Sequence, residues 1–131
     1  MIYLSEDEVK ALAPVLQRLQ AHLSQQIDVV EMLRRWSVFV REVELGYELT
    51  GYDYANDLAI RDMLNAVVTV APRALQNRIA REALDPLDQR FRDATREVSE
   101  PLRIAAPDRP LWWWFRVPND VSGELASDLL A

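Results

Sequence analysis

The chain has no cysteine, one histidine, one lysine and only three glycines among its 131 residues. Without cysteine, disulfides, thiolate catalysis and cysteine-based metal sites are excluded, which agrees with a reducing, cytoplasmic setting. A single histidine, His22, provides neither a zinc set nor a nucleophile–base pair, and no serine lies in a G-x-S-x-G context. Gly46, Gly51 and Gly123 are too scattered for a phosphate-cradling loop. No apolar run approaches the ~20 residues that span a bilayer, and the first ten residues lack the basic-then-apolar order of a secretory signal. The sequence therefore suggests no catalytic residues, no cofactor and no metal.

What is present is helix-forming and acidic. Half the residues are apolar and the formal net charge is −6. That charge disfavours nucleic acid and anionic membranes, both polyanions, and suits a basic partner. Leu, Ala, Glu, Gln and Arg dominate, all good helix formers. The expected fold is all-α: a four- to five-helix bundle over residues 1–100, then an extended Pro/Trp-rich arm and a short terminal helix over 101–131, together one domain.

Ser5 and Glu8 have the spacing of a capping box, and Val9, Leu12, Leu16, Leu19 and Leu23 follow as an apolar stripe. Pro14 predicts a kink or a break in that helix. Asp28 caps a second helix whose stripe is Val29, Leu33, Trp36, Val40 and Val43, widened by Met32 and Phe39; Gly46 ends it, and Val38 falls on its polar side. Residues 47–56 read as a loop turning at Gly51, with Asp53 or Asn56 capping a third helix striped by Ile60, Leu64 and Val67. Residues 72–98 form either one helix kinked at Pro86 or two in succession, with Asp88–Arg92 and Asp93–Arg96 as intrahelical pairs. The mixed signs there indicate a solvated face, not a nucleic-acid stripe.

Two segments stand out as candidate sites. From Glu42 to Ile60 there are five acids and no base, with tyrosines among them; Glu44, Tyr47, Glu48, Tyr52, Asp53, Tyr54 and Asp57 are the candidate contacts. Tyrosine offers contact area at low entropic cost, and carboxylates steer a basic partner. The second is Trp112, Trp113, Trp114 and Phe115, between Pro110 and Pro118. An extended backbone would put Trp112 and Trp114 on one side and Trp113 and Phe115 on the other, one set packing inward and the other free to bind. The reading is a non-enzymatic protein-binding module, such as an acidic immunity- or antitoxin-type or accessory protein. The alternatives are self-association as a homodimer through the Trp arm, and a small enzyme or ligand-binding protein with an aromatic pocket.

Overall fold

The computed structural model describes residues 3–23, 28–104 and 106–130; the side chains of residues 21–23, His22 and Leu23 among them, lie outside that description. The chain is mostly helical. Helix α1 spans Glu6–Leu23, α2 Val29–Leu45, α3 Gly51–Val70, α4 Arg73–Ile79, α5 Asp85–Asp93 and α6 Gly123–Leu129. A π turn, Ala80–Leu84, joins α4 to α5, and a two-stranded sheet pairs β1 (Thr95–Glu97) with β2 (Arg116–Pro118). Helix α2 packs on both α3 and α5, while α1, α4 and α6 lie against α3.

The Ser5–Glu8 capping box forms in both directions, Ser5 N donating to Glu8 Oε1 at 2.8 Å and Glu8 N to Ser5 Oγ at 3.2 Å. Helix α1 then runs through Pro14 as one element. Among its described side chains Leu12 and Val15 are buried, whereas Val9, placed on the stripe by sequence, is exposed. All seven stripe residues of α2 are buried, Asp28 caps its start, and Gly46 ends it at φ 103°.

The loop expected at 47–56 is shorter. Helix α3 starts at Gly51 because Thr50 and Asp53 form a second capping box. Gly51 is therefore not a turn residue. It is small because α6 crosses it: a Cβ there would lie 2.4 Å from the Asp128 Cβ, and Asp128 Oδ2 accepts from Gly51 N at 3.3 Å. The buried stripe of α3 is Tyr54, Ala55, Leu58, Arg61, Leu64 and Val67, so Ile60 is only half buried.

Between α4 and α5 the chain stays helical without a break. Pro86 has no N–H, and its ring would meet the carbonyl four residues back in a regular helix. The π turn widens the coil just before it, with Asp85 N donating to Ala80 O, five residues back. Helix α5 stops at Asp93, short of the expected Val98. Thr95 Oγ1 donates to Phe91 O at 2.7 Å, and the Arg116 guanidinium donates to Thr95 Oγ1, Thr95 O and Arg92 O. A cation thus closes the negative end of α5. The expected Asp88–Arg92 and Asp93–Arg96 pairs do not form: Asp88 faces the core, Arg92 lies on Trp112, and Arg96 is in β1.

Candidate functional site

The tryptophan run is not extended. Trp112–Phe115 is a 3-10 turn, closed by Trp114 N donating to Leu111 O at 3.0 Å. Three residues per turn put positions i and i+3 on one side. Trp112 and Phe115 are accordingly half buried, and Trp113 and Trp114 go fully inward, which replaces the alternating pairing expected from sequence. Both inward indoles donate to one carboxylate: Trp113 Nε1 to Asp62 Oδ1 at 2.9 Å, and Trp114 Nε1 to Asp62 Oδ1 and Oδ2 at 3.1 and 3.0 Å. Burial pushes the Asp62 carboxyl above its ordinary range, opposed by those two indole bonds and by Arg61. Trp112 is covered by the Arg92 guanidinium, 3.9 Å from its ring centroid. The run is thus largely engaged within the chain.

Beneath it lies a buried ion pair that periodicity did not reveal. Arg61 Nε and Nη2 donate to Asp88 Oδ1 and Oδ2 at 3.1 and 2.8 Å, Trp36 Nε1 donates to Asp88 Oδ1 at 3.1 Å, and the Arg61 guanidinium sits 4.4 Å from the Trp113 ring centroid. Arg61 and Asp88 are 6% and 5% exposed. The signal was present: Arg61 lies on the inward side of α3, three residues from both Leu58 and Leu64.

The acidic tyrosine segment divides in two. Tyr54 is fully buried among Phe39 and Tyr47, and its hydroxyl donates to Arg116 O at 2.9 Å. Tyr47 is also buried, its hydroxyl donating to Asp57 Oδ2 at 3.1 Å. Desolvation pushes both phenols up, so both remain neutral. Glu44 makes a two-bond pair with Arg90, at 3.0 and 2.5 Å, which holds its carboxyl below the usual range. Asp53 is part of the α3 capping box. Free for contact are Glu48 and Tyr52, both exposed, and the half-buried Asp57.

Around these, Leu45 and Leu49, which the sequence did not single out, join Tyr52 and Val38 as exposed side chains. Leu45 is 75% exposed, Leu49 50% and Tyr52 68%, with Val38 open as well. One shallow depression joins Leu45, Leu49, Glu42 and Glu48; a neighbouring one joins Leu49, Val38, Glu42, Asp53 and Asp57. Glu42 and Glu48 form no ion pair among the described residues. Asp53 and Asp57 are one helical turn apart on α3, but no group of three or more His, Cys, Asp or Glu among the described residues could hold a metal ion.

Two other clefts bear on an enzymatic reading. A cleft of about 600 Å³ between α1, α2 and α3 is lined by Leu12, Leu16, Met32 and Met63, with Asp28 and Glu31 at its rim. Asp28 caps α2 and Glu31 pairs with Arg34, so neither carboxylate is a free acid or base. Another, of about 710 Å³, lies beside Trp112, Phe115 and Glu97; its Arg92 is stacked on Trp112 and its Arg116 closes α5. Among the described residues no helix is long and apolar enough to cross a membrane. No family model matches the chain, and no curated protein or solved structure matches it either.

Proposed function

We propose that the protein is a non-enzymatic protein-binding module that docks a basic partner where α2 turns into α3. The reading rests on one coincidence: the exposed Leu45, Leu49 and Val38 line the same two depressions as the carboxylates of Glu42, Glu48, Asp53 and Asp57. Exposed leucines supply apolar area for a partner to bury, and acids that outnumber the neighbouring Arg34 and Arg35, both paired with Glu31, favour and steer a cationic one. In concrete form this is an acidic neutraliser of the immunity or antitoxin type, or an accessory subunit, acting in the cytoplasm. The helices would form a bundle that holds the corner, with the C-terminal segment packed across it.

The test is capture at low salt from native cells, identified by mass spectrometry. A basic protein recovered near stoichiometrically with wild type and lost with both Leu45→Asp/Leu49→Asp and Glu48→Lys is the expected result. Recovery of the same proteins by wild type and variants would overturn the reading. Self-association through the tryptophan segment draws less support, because Trp113 and Trp114 are buried within the chain.

A further inference from the structure

Between α2 and α3 the docking face contains one small pocket. Arg34, Val38 and Glu42 line its α2 side at four-residue spacing, with Arg35 beside them; Asp53, Asn56 and Asp57 line its α3 side. Leu49 closes one end and Phe39 contributes from the core. The volume is about 230 Å³. That is below the roughly 300–1,000 Å³ of sites for drug-sized ligands and cofactors, and it suits a single side chain. Its chemistry is divided: Val38, Leu49 and Phe39 are apolar, while Glu42, Asp53 and Asp57 are acidic.

We propose that this pocket receives one cationic side chain, lysine or arginine, from the partner, its aliphatic stem on Val38 and Leu49 and its head group on Asp57. The inference rests on the docking reading above and gives it a defined anchor. Long basic side chains bury their stems and keep the charge at a polar contact, which matches a pocket with apolar walls and one acidic side. Glu42 and Asp57 are both half buried without a helix-capping role, and of the two only Asp57 is held in place by a side-chain hydrogen bond, from Tyr47. Its Oδ2 accepts from Tyr47, whereas its Oδ1 has no partner among the described residues and stays reachable by solvent. Burial, then Glu42 and Asp53, push its carboxyl up to about 6, against the Tyr47 hydrogen bond and Arg35. No ion pair reaches that carboxylate among the described residues. The two arginines that line the pocket pair with Glu31, Arg34 at 2.6 Å and Arg35 at 3.9 Å, and Arg35 acts on Asp57 only from a distance. Asn56 is neutral, and Tyr47 stays un-ionised.

The probe is N-acetyl-arginine amide, with N-acetyl-lysine amide beside it and N-acetyl-citrulline amide as the uncharged control, followed by ¹⁵N-HSQC titration of the whole chain. Expected are shifts confined to residues 35–42 and 49–57 with the two cations and none with citrulline. Affinity should weaken by about tenfold from pH 7 to pH 5, as Asp57 goes from mostly ionised to mostly protonated. Asp57→Asn should abolish the pH dependence. Val38→Trp, a change at an exposed position, should block the pocket even if the Asp57 variant is poorly folded. Equal shifts with citrulline, shifts elsewhere, or a pH-independent affinity would overturn the proposal. If the probe fails but Leu45→Asp/Leu49→Asp still loses the captured partner, the pocket is wrong and the docking face stands. If the probe binds but capture is unaffected, the docking face is wrong.

Discussion

Removing one member of the Arg61–Asp88 pair tests whether the interior is organised around it. In Asp88→Ala, three hydrogen bonds disappear together: those from Arg61 Nε, Arg61 Nη2 and Trp36 Nε1. The Arg61 guanidinium is left at 6% exposure without the carboxylate that hydrogen-bonds it, and its Nη1 already has no partner. Breaking a buried pair from one side costs about 3–5 kcal/mol, and an orphaned indole N–H adds about 1–3. A domain of this size has on the order of 5–15 kcal/mol in total, so the variant should sit at or below the edge of folding. Removing both charges should cost much less. In Arg61→Met/Asp88→Asn, methionine keeps the stem volume against Trp113, and the asparagine carbonyl still accepts from Trp36. Urea unfolding followed by tryptophan emission measures Asp88→Ala, the double variant and its two singles, Arg61→Met and Asp88→Asn, because Trp36, Trp113 and Trp114 are buried and shift red on exposure. The expected double variant is at least about 2 kcal/mol more stable than the two single costs summed, a coupling within the range of contacting residues. Additive costs of under about 1 kcal/mol each would refute the account of a coupled, desolvated pair.

Asp62→Ala leaves the indoles of Trp113 and Trp114 without an acceptor, so a loss of about 2–4 kcal/mol and a red-shifted native emission are expected; unchanged emission would mean the indoles find water instead. Gly51→Ala places a Cβ 2.4 Å from the Asp128 Cβ, so α6 must move and the cost should be about 1–3 kcal/mol. Hydrogen exchange accelerating in residues 123–129 but not in α2 would show that the displaced element is α6. Asp57→Asn should stabilise the protein by about 1 kcal/mol at pH 7.5 and give no gain at pH 4.5, after discounting a half-buried group for solvent screening. The sign follows from the raised carboxyl: the folded state binds the proton more tightly, so wild-type stability falls as pH rises from the unfolded value through about 6 and is level above it. An equal effect at both pH values would tie it to shape instead of charge.

Where local rules and packing agree, the chain was legible. Helix α2 combined a cap, a clean stripe and a terminating glycine, and each appears where spacing put it. The start of α3 was equally written, as Thr50-x-x-Asp53, but three tyrosines and a glycine drew attention to a loop. Other features were not local. Nothing in "WWWF" distinguishes a strand from a 3-10 turn; the choice rests on Asp62, some fifty residues earlier, which takes both inward indoles. Asp88 reads as a solvated charge paired with Arg92, and Arg61 gives no signal by type alone; only their meeting across α3 and α5 makes burial tolerable. In the acidic segment residue type and exposure run opposite ways: Tyr47 and Tyr54 are core residues, while Leu45 and Leu49 are exposed.

That exchange of roles bears on how the corner works. Phe39, Tyr47 and Tyr54 form a ring cluster with centroids 5.2–5.6 Å apart, which fixes the α2–α3 connection from below. The Tyr47 hydroxyl then ties that connection to Asp57 on α3. A face held this way loses little freedom when a partner arrives, and pre-organisation is a main route to affinity at a small contact. It also explains why Asp57 sits where its charge is destabilising at neutral pH. An asparagine would keep the tyrosine bond and avoid the desolvation. Under the proposed docking, a cation arriving from outside would offset that cost, so the asparagine variant should gain stability and lose the acid-sensitive step in binding together.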